Sequence, residues 1–128
     1  MKKEIVSLPD AEFEVMDAVW SCEAEYAPTT EILAKMNTEK KAQTVLTMLS
    51  RLSEKGFLTS RKNGKERLWK AEVTRNEYGS SEAKKFVDKI YGGSFSRLIT
   101  AFYEGKGISA EDAAQLIALV DRSEENKG

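Results

Sequence analysis

The stretch that most constrains this chain is Phe57-Leu58-Thr59-Ser60-Arg61-Lys62, then Asn63-Gly64, then Lys65-Glu66-Arg67-Leu68-Trp69-Lys70-Ala71. Asn-Gly between two extended runs predicts a hairpin, because a type I′ turn needs positive φ at both central residues. In the remaining segments apolar residues recur at three- and four-residue spacing, the signature of amphipathic helices. The chain is therefore expected to be mainly α with one small β element. Four basic residues, Arg61, Lys62, Lys65 and Arg67, cluster at the hairpin tip. By itself the cluster fits either a solubilising strand edge guarded by lysine or an anion-facing surface.

Three helices are expected ahead of the hairpin. Leu8-Pro9-Asp10-Ala11-Glu12 reads as a helix entry, followed by an apolar stripe of Phe13, Met16, Val19 and Trp20. After a polar break from Glu23 to Pro28, Thr29 or Thr30 is placed to cap a short helix with Ile32, Leu33 and Met36 inward. A third helix, 42–55, carries Val45, Met48, Leu49 and Leu52 on its inner face and stops at Gly56. Its outer face holds Gln43, Thr44, Thr47, Ser50 and Arg51, with Lys40 and Lys41 just ahead and Glu54 as its one acid. Short hydrogen-bonding side chains without clustered acids suit the base edges of a major groove. Leu46 lies off the core stripe, free either to meet a thymine methyl or to pack on a neighbour.

The net charge of −1 conceals an asymmetry. Residues 1–38 hold 3 basic and 8 acidic side chains, residues 39–70 hold 9 and 3, and residues 71–128 hold 8 and 10. A basic window in a near-neutral chain is the footprint of a phosphate-binding surface, although a solvated lysine-rich face has the same composition. Three helices followed by a basic-tipped hairpin make a winged helix-turn-helix, in which one helix enters the major groove and the wing reaches phosphates. Order of elements, sign of charge and polarity of the third helix agree on DNA.

Beyond residue 73 the composition shifts, which places domains at 1–73 and 74–128. Thr74-Arg75-Asn76-Glu77 and Ser81-Glu82 both offer helix starts. One helix through Ala83, Phe86, Val87, Ile90 and Tyr91 is expected to end at Gly92-Gly93. A second opens at Ser94 or Phe95, carries Phe95, Leu98, Ile99 and Phe102, and breaks at Gly105-Lys106-Gly107. A third follows Ser109-Ala110-Glu111-Asp112, which resembles a capping box, and carries Ala113, Leu116, Ile117 and Val120. Three short helices this apolar bury little alone, so pairing with an identical copy is expected, with folding back onto the winged helix as the alternative. The expected dimer face is Phe86, Ile90, Tyr91, Phe95, Leu98, Ile99, Phe102, Leu116, Ile117 and Val120.

Composition also excludes. With no histidine and one cysteine, the commonest general base, zinc ligands and disulfides are missing together, so no metal and no cofactor are expected. No Gly-x-Ser-x-Gly motif appears, and no enzymatic activity is expected. Cys22 has no basic sequence neighbour and reads as a packing residue. Trp20 and Trp69 read as core anchors. No apolar run approaches a membrane span, and Met1-Lys2-Lys3-Glu4-Ile5 lacks a signal core; a cytoplasmic protein without direct membrane binding is expected.

Three segments carry a resemblance: Leu8-Pro-Asp-Ala-Glu-Phe-Glu-Val-Met-Asp-Ala-Val-Trp20, Thr44-Val-Leu-Thr-Met-Leu-Ser-Arg-Leu-Ser-Glu-Lys-Gly-Phe57 and Phe86-Val-Asp-Lys-Ile-Tyr-Gly-Gly-Ser-Phe95. In identity and spacing they resemble the penicillinase repressor (BlaI/MecI/CopY) family over about Leu8 to Val120. The resemblance implies a homodimeric winged-helix repressor on a palindromic double-stranded DNA operator, its C-terminal helices holding the dimer. It further implies inactivation by proteolysis, after a membrane-embedded sensor metalloprotease detects a β-lactam, at an Asn-Phe bond in the helix after the Gly-Gly turn. Here Phe102 is kept and Ala101 replaces Asn, which makes the match at that bond partial. The copper-responsive branch ends in a cysteine cluster; this chain ends Asp121-Arg-Ser-Glu-Glu-Asn-Lys-Gly, without one. Leu46 stands where β-lactamase-type members often carry a basic or polar residue, which implies a different operator sequence. The alternative is a MarR-like, ligand-responsive winged helix with no protease. On the leading reading Gln43, Thr44, Thr47, Ser50 and Arg51 face the groove, while Lys41, Arg61, Lys62 and Lys65 meet phosphates.

Overall fold

The computed structural model describes residues 4–125; residues 1–3, which open the segment lacking a signal core, and 126–128 lie outside them. The elements run α1 (Asp10–Ser21), β1 (Ala27–Pro28), α2 (Thr29–Met36), α3 (Ala42–Glu54), β2 (Leu58–Asn63), β3 (Glu66–Ala71), α4 (Arg75–Tyr91), α5 (Phe95–Glu104) and α6 (Ala110–Glu125). The three strands form one antiparallel sheet in the order β1-β3-β2. Mainly helical with a small β wing, this is a winged helix-turn-helix followed by further helices. Two compact units divide at Ser80/Ser81, and α4 runs from the first into the second.

In the first unit α1, α2 and α3 close over one core. Val15, Met16, Ile32, Val45, Leu49, Leu52, Phe57 and Leu58 are fully buried, and Trp69 nearly so. On α3 the inner stripe falls where helical periodicity puts it. On α1 it is rotated. Val15, Met16, Ala18 and Val19 enter the core, whereas Phe13 stays 37% exposed and Trp20 half-buried. Those two rings flank the core because Tyr78 of α4 meets both, at centroid distances of 5.9 Å each. Glu12 is buried as well, its carboxylate accepting from Lys55 Nζ, so the start of α1 is tied to the end of α3. A buried carboxylate is tolerated only when paired in this way.

Turn chemistry accounts for most boundaries. Asn37 closes α2 in the left-handed conformation, φ 46°, which Asn tolerates better than most residues. Gly56, φ +83°, ends α3 as expected. The hairpin differs from its expectation. Asn63 pairs with Glu66, which leaves Gly64 and Lys65 as the two-residue loop. Positive φ is confined to Gly64, at 69°, the pattern of a II′ turn with glycine first, not the I′ turn expected of Asn-Gly. Every residue of β2 therefore faces a partner two places further along β3, while the faces stay unchanged.

Neither threonine caps α2; Pro28 holds the N-cap position. Thr29 instead accepts from Trp69 Nε1 at 2.9 Å and donates to the Arg67 carbonyl, tying α2 to the wing. The strand β1 within the polar break had no sequence signal, since two residues are too few for alternation. Its pairs, Ala27 with Trp69 and Pro28 with Leu68, are supplied by β3.

Of the two possible starts after the wing, the helix takes the first. Thr74 and Glu77 cap it reciprocally, the Glu77 N–H donating to Thr74 Oγ1 at 3.0 Å and the Thr74 N–H to Glu77 Oε1 at 2.9 Å. The expected domain break ahead of Thr74 falls short of the packing boundary because the opening of α4 belongs to the first unit. Trp20 Nε1 donates to the Val73 carbonyl, Arg75 pairs with Asp17 at 2.6 Å, and the Leu8 N–H donates to the buried Tyr78 hydroxyl.

In the second unit α5 and α6 pack on each other, with Ile99 and Ala113 buried. Ser94 caps α5 by accepting the Arg97 N–H, and Ser109 accepts the Asp112 N–H at the start of α6. The positive φ values of Gly92 and Gly93 end α4 where the paired glycines predicted.

Candidate nucleic-acid interface

The candidate surface is built on α3. Gln43, Thr44, Thr47, Ser50 and Arg51 are all exposed, on an arc of roughly 120° at 100° per residue. Thr47 donates its hydroxyl to the Gln43 carbonyl at 3.0 Å, which fixes its rotamer and leaves its oxygen free to accept. No acidic residue lies in the first turn of α3, where Lys41 occupies the N-cap position, exposed. Lys40 is partly neutralised by Glu14 at 3.3 Å. Glu54 sits at the far end of the same face, away from the N-terminal residues that contact bases in helix-turn-helix proteins.

Leu46 does not join that face. It is half-buried against the core and lines an open groove of about 340 Å³ between α3 and the wing, together with Ser50, Glu54, Ser60, Arg67 and Trp69. The neighbour it packs toward is the hairpin.

The wing has two unlike faces. Register places Leu58, Ser60 and Lys62 on one face with Ala71, Trp69 and Arg67, and Leu58 and Trp69 are its buried anchors toward α3. On the opposite face the guanidinium of Arg61 lies over the Tyr26 ring, 3.9 Å from its centroid. Nearby Lys70 pairs with Glu25 at 3.1 Å and Glu72 at 3.9 Å, and Thr59 donates to Glu72. The Glu25 carboxylate, through its hydrogen bond and charge, raises the Lys70 ammonium above its ordinary range. On this outer face Lys70 is neutralised and Arg61 is stacked on an aromatic ring. Of the residues expected to meet phosphate, Lys62 and Lys65 are exposed near α3's side of the tip and in the turn, while Arg61 is turned to Tyr26. Arg67, not among the residues expected to meet phosphate, lies on the α3 side, where the alternation of β3 from Trp69 puts it.

Cys22 donates to the Ala18 carbonyl at 3.3 Å. Burial, then the nearby Glu31 carboxylate, pushes its thiol above the usual range, and Lys35 pulls the other way less strongly. The lysine is brought close by folding, not by sequence. Because the unfolded thiol ionises first, the stability this group contributes is present below the ordinary thiol value of 9.0 and is lost as pH rises through the higher folded value.

The sequence profile described as penicillinase repressor matches residues 8–122. The chain belongs to the penicillinase repressor family. Its curated relatives include the methicillin resistance regulatory protein MecI of Staphylococcus aureus (strain N315), 26% identical over 124 residues, which cover 95% of this chain and 99% of that one. The penicillinase repressor of Bacillus licheniformis is 25% identical over 127 residues, covering 98% of each. Among solved structures, the DNA binding domain of the repressor BlaI is 30% identical, with a TM-score of 0.50, covering 61% of this chain and 94% of that domain. The family is one of transcriptional repressors, not enzymes, and this chain is a repressor of the BlaI type. Among the described residues no helix is long and apolar enough to cross a membrane.

Proposed function

We propose that this penicillinase-repressor chain is a cytoplasmic homodimer that binds a palindromic double-stranded operator, with α3 in the major groove and the wing on the flanking backbone. The observation that carries the reading is the acid-free, exposed start of α3 beside a wing whose inner face is basic. A solved relative named for DNA binding shares this unit, which supports the same use here.

Pairing through the second unit is supported by its exposed apolar surface. Phe86, Ile90, Phe102 and Leu116 of the expected face are between 36% and 54% exposed. Tyr103 and Leu119, outside the expected set, are similarly open. Tyr91, Phe95, Leu98, Ile117 and Val120 are half-buried. Ile99 is 3% exposed and serves its own unit's core instead. Large exposed apolar side chains in this number mark an interface.

Release follows from cleavage at Ala101-Phe102 in α5, carried out by a membrane-embedded sensor metalloprotease in response to a β-lactam. A cut there severs Phe102 and α6 from the dimer face and leaves α3 intact. Operator affinity falls because two linked half-site contacts lose their effective concentration.

A specific observation favours a second reading. An open groove of about 550 Å³ runs along α6, lined by Ile108, Asp112, Leu116, Leu119 and Arg122, within the size range of small-molecule sites. It suits a MarR-like regulator released by a ligand. Selecting bound duplexes from a random-sequence DNA pool tests the main proposal: an enriched palindrome of fixed spacing is expected, and no enrichment, or a lone half-site, overturns it. Small organic compounds that release the selected DNA without chain cleavage would favour the second reading.

A further inference from the structure

The wing places two cations directly opposite each other. Lys62 and Arg67 are cross-strand partners in the β2–β3 register and share the face turned to α3. Like charges in that arrangement destabilise a hairpin. Among the described residues neither forms an ion pair, whereas Lys70 on the opposite face has two carboxylates. Arg67 is instead held by a neutral group: its Nη1 donates to Ser60 Oγ at 2.9 Å, which leaves most of its donors free. It lines the groove with Leu46, Ser50 and Glu54, at the foot of the polar face of α3, and no ion pair joins it to that carboxylate among the described residues. Arg61, equally basic in sequence, lies across the sheet over Tyr26.

We propose that Arg67, with Lys62, is the wing's phosphate-binding pair, and that Arg61 is a positioning residue that holds the wing to the Tyr26 loop. The inference rests on the DNA-binding reading and deepens it. A phosphate seated between Lys62 and Arg67 removes their repulsion, and the guanidinium, oriented by Ser60, offers the planar fork that suits a phosphate. The location beside Ser50 puts that phosphate on the strand bordering the groove that α3 enters. Arg61 has its cationic face on an aromatic ring, so its loss disturbs wing order more than counterion release.

The experiment measures binding of the full-length protein to a 30-base-pair duplex of random sequence over about 50–200 mM KCl, by fluorescence anisotropy. One phosphate contact contributes about 0.9 to the slope of log affinity against log salt. Arg67→Gln is expected to lower the slope by about that amount, so that its deficit against the wild type narrows roughly 3-fold across the range. Arg67→Lys should restore the slope, which separates lost charge from lost fold. Arg61→Gln should keep the wild-type slope while lowering Tm. A wild-type slope retained in Arg67→Gln, or a slope lost in Arg61→Gln, overturns the assignment and leaves DNA binding standing. No salt-dependent binding by the wild type overturns both.

Discussion

Gln43 and Lys62, two exposed polar residues of the proposed DNA interface, are expected to act there in different ways. Gln43 sits at the start of α3 with its amide free for a base edge, whereas Lys62 on the wing offers only charge. Gln43→Ala should relax preference at one operator position by about 1–3 kcal/mol and leave random-sequence binding nearly intact. Lys62→Gln should weaken all sequences alike. Parallel titrations of operator and random duplex check this, and equal loss in both variants for both DNAs would sink the division of roles. Gly64 belongs to the same scale. Its φ of +69° has open space around it, so Gly64→Ala meets no clash and costs only the left-handed strain, about 1–2 kcal/mol, measurable by urea titration.

At the scale of elements, α4 is the informative one. Apolar spacing located its second half, but two equally good starts preceded it, and sequence could not choose between Thr74 and Ser81. Tyr78 decides. Its ring packs against Phe13, Trp20 and Phe57 and its hydroxyl accepts the Leu8 N–H, so the residues around it must already be helical. The reciprocal Thr74–Glu77 cap then satisfies the first turn. Thr74→Ala should lower stability by about 1 kcal/mol and fray the first turn, read as a lower Tm and faster amide exchange from Arg75 to Tyr78. The stripe of α3 needed no such arbitration, because Val45, Leu49 and Leu52 are fully buried where periodicity placed them.

At the scale of the whole molecule, stability and assembly separate. The first unit buries its own core, whereas the second leaves Phe86, Ile90, Phe102 and Leu119 at least half exposed. Ile90→Glu therefore removes apolar surface at no cost to either core. Sedimentation at micromolar concentration should show a monomer, Tm of the winged helix should be unchanged, and affinity for a full palindrome should fall about 100-fold toward that of a half-site. A dimer that persists with full affinity would place the pairing surface elsewhere.

Local rules sufficed for the helical stripes, the glycine stops and the basic hairpin, because periodicity and backbone conformation are properties of neighbouring residues. The polar, acid-poor face of α3 was legible for the same reason. Tertiary structure decided the rest. It moved the turn to Gly64-Lys65, gave Leu46 to the wing groove, drew Thr29 from capping to Trp69, and set Arg61 and Arg67 on opposite faces. Each of these depends on a partner distant in sequence, and a residue's charge states its chemistry without stating which way that chemistry points.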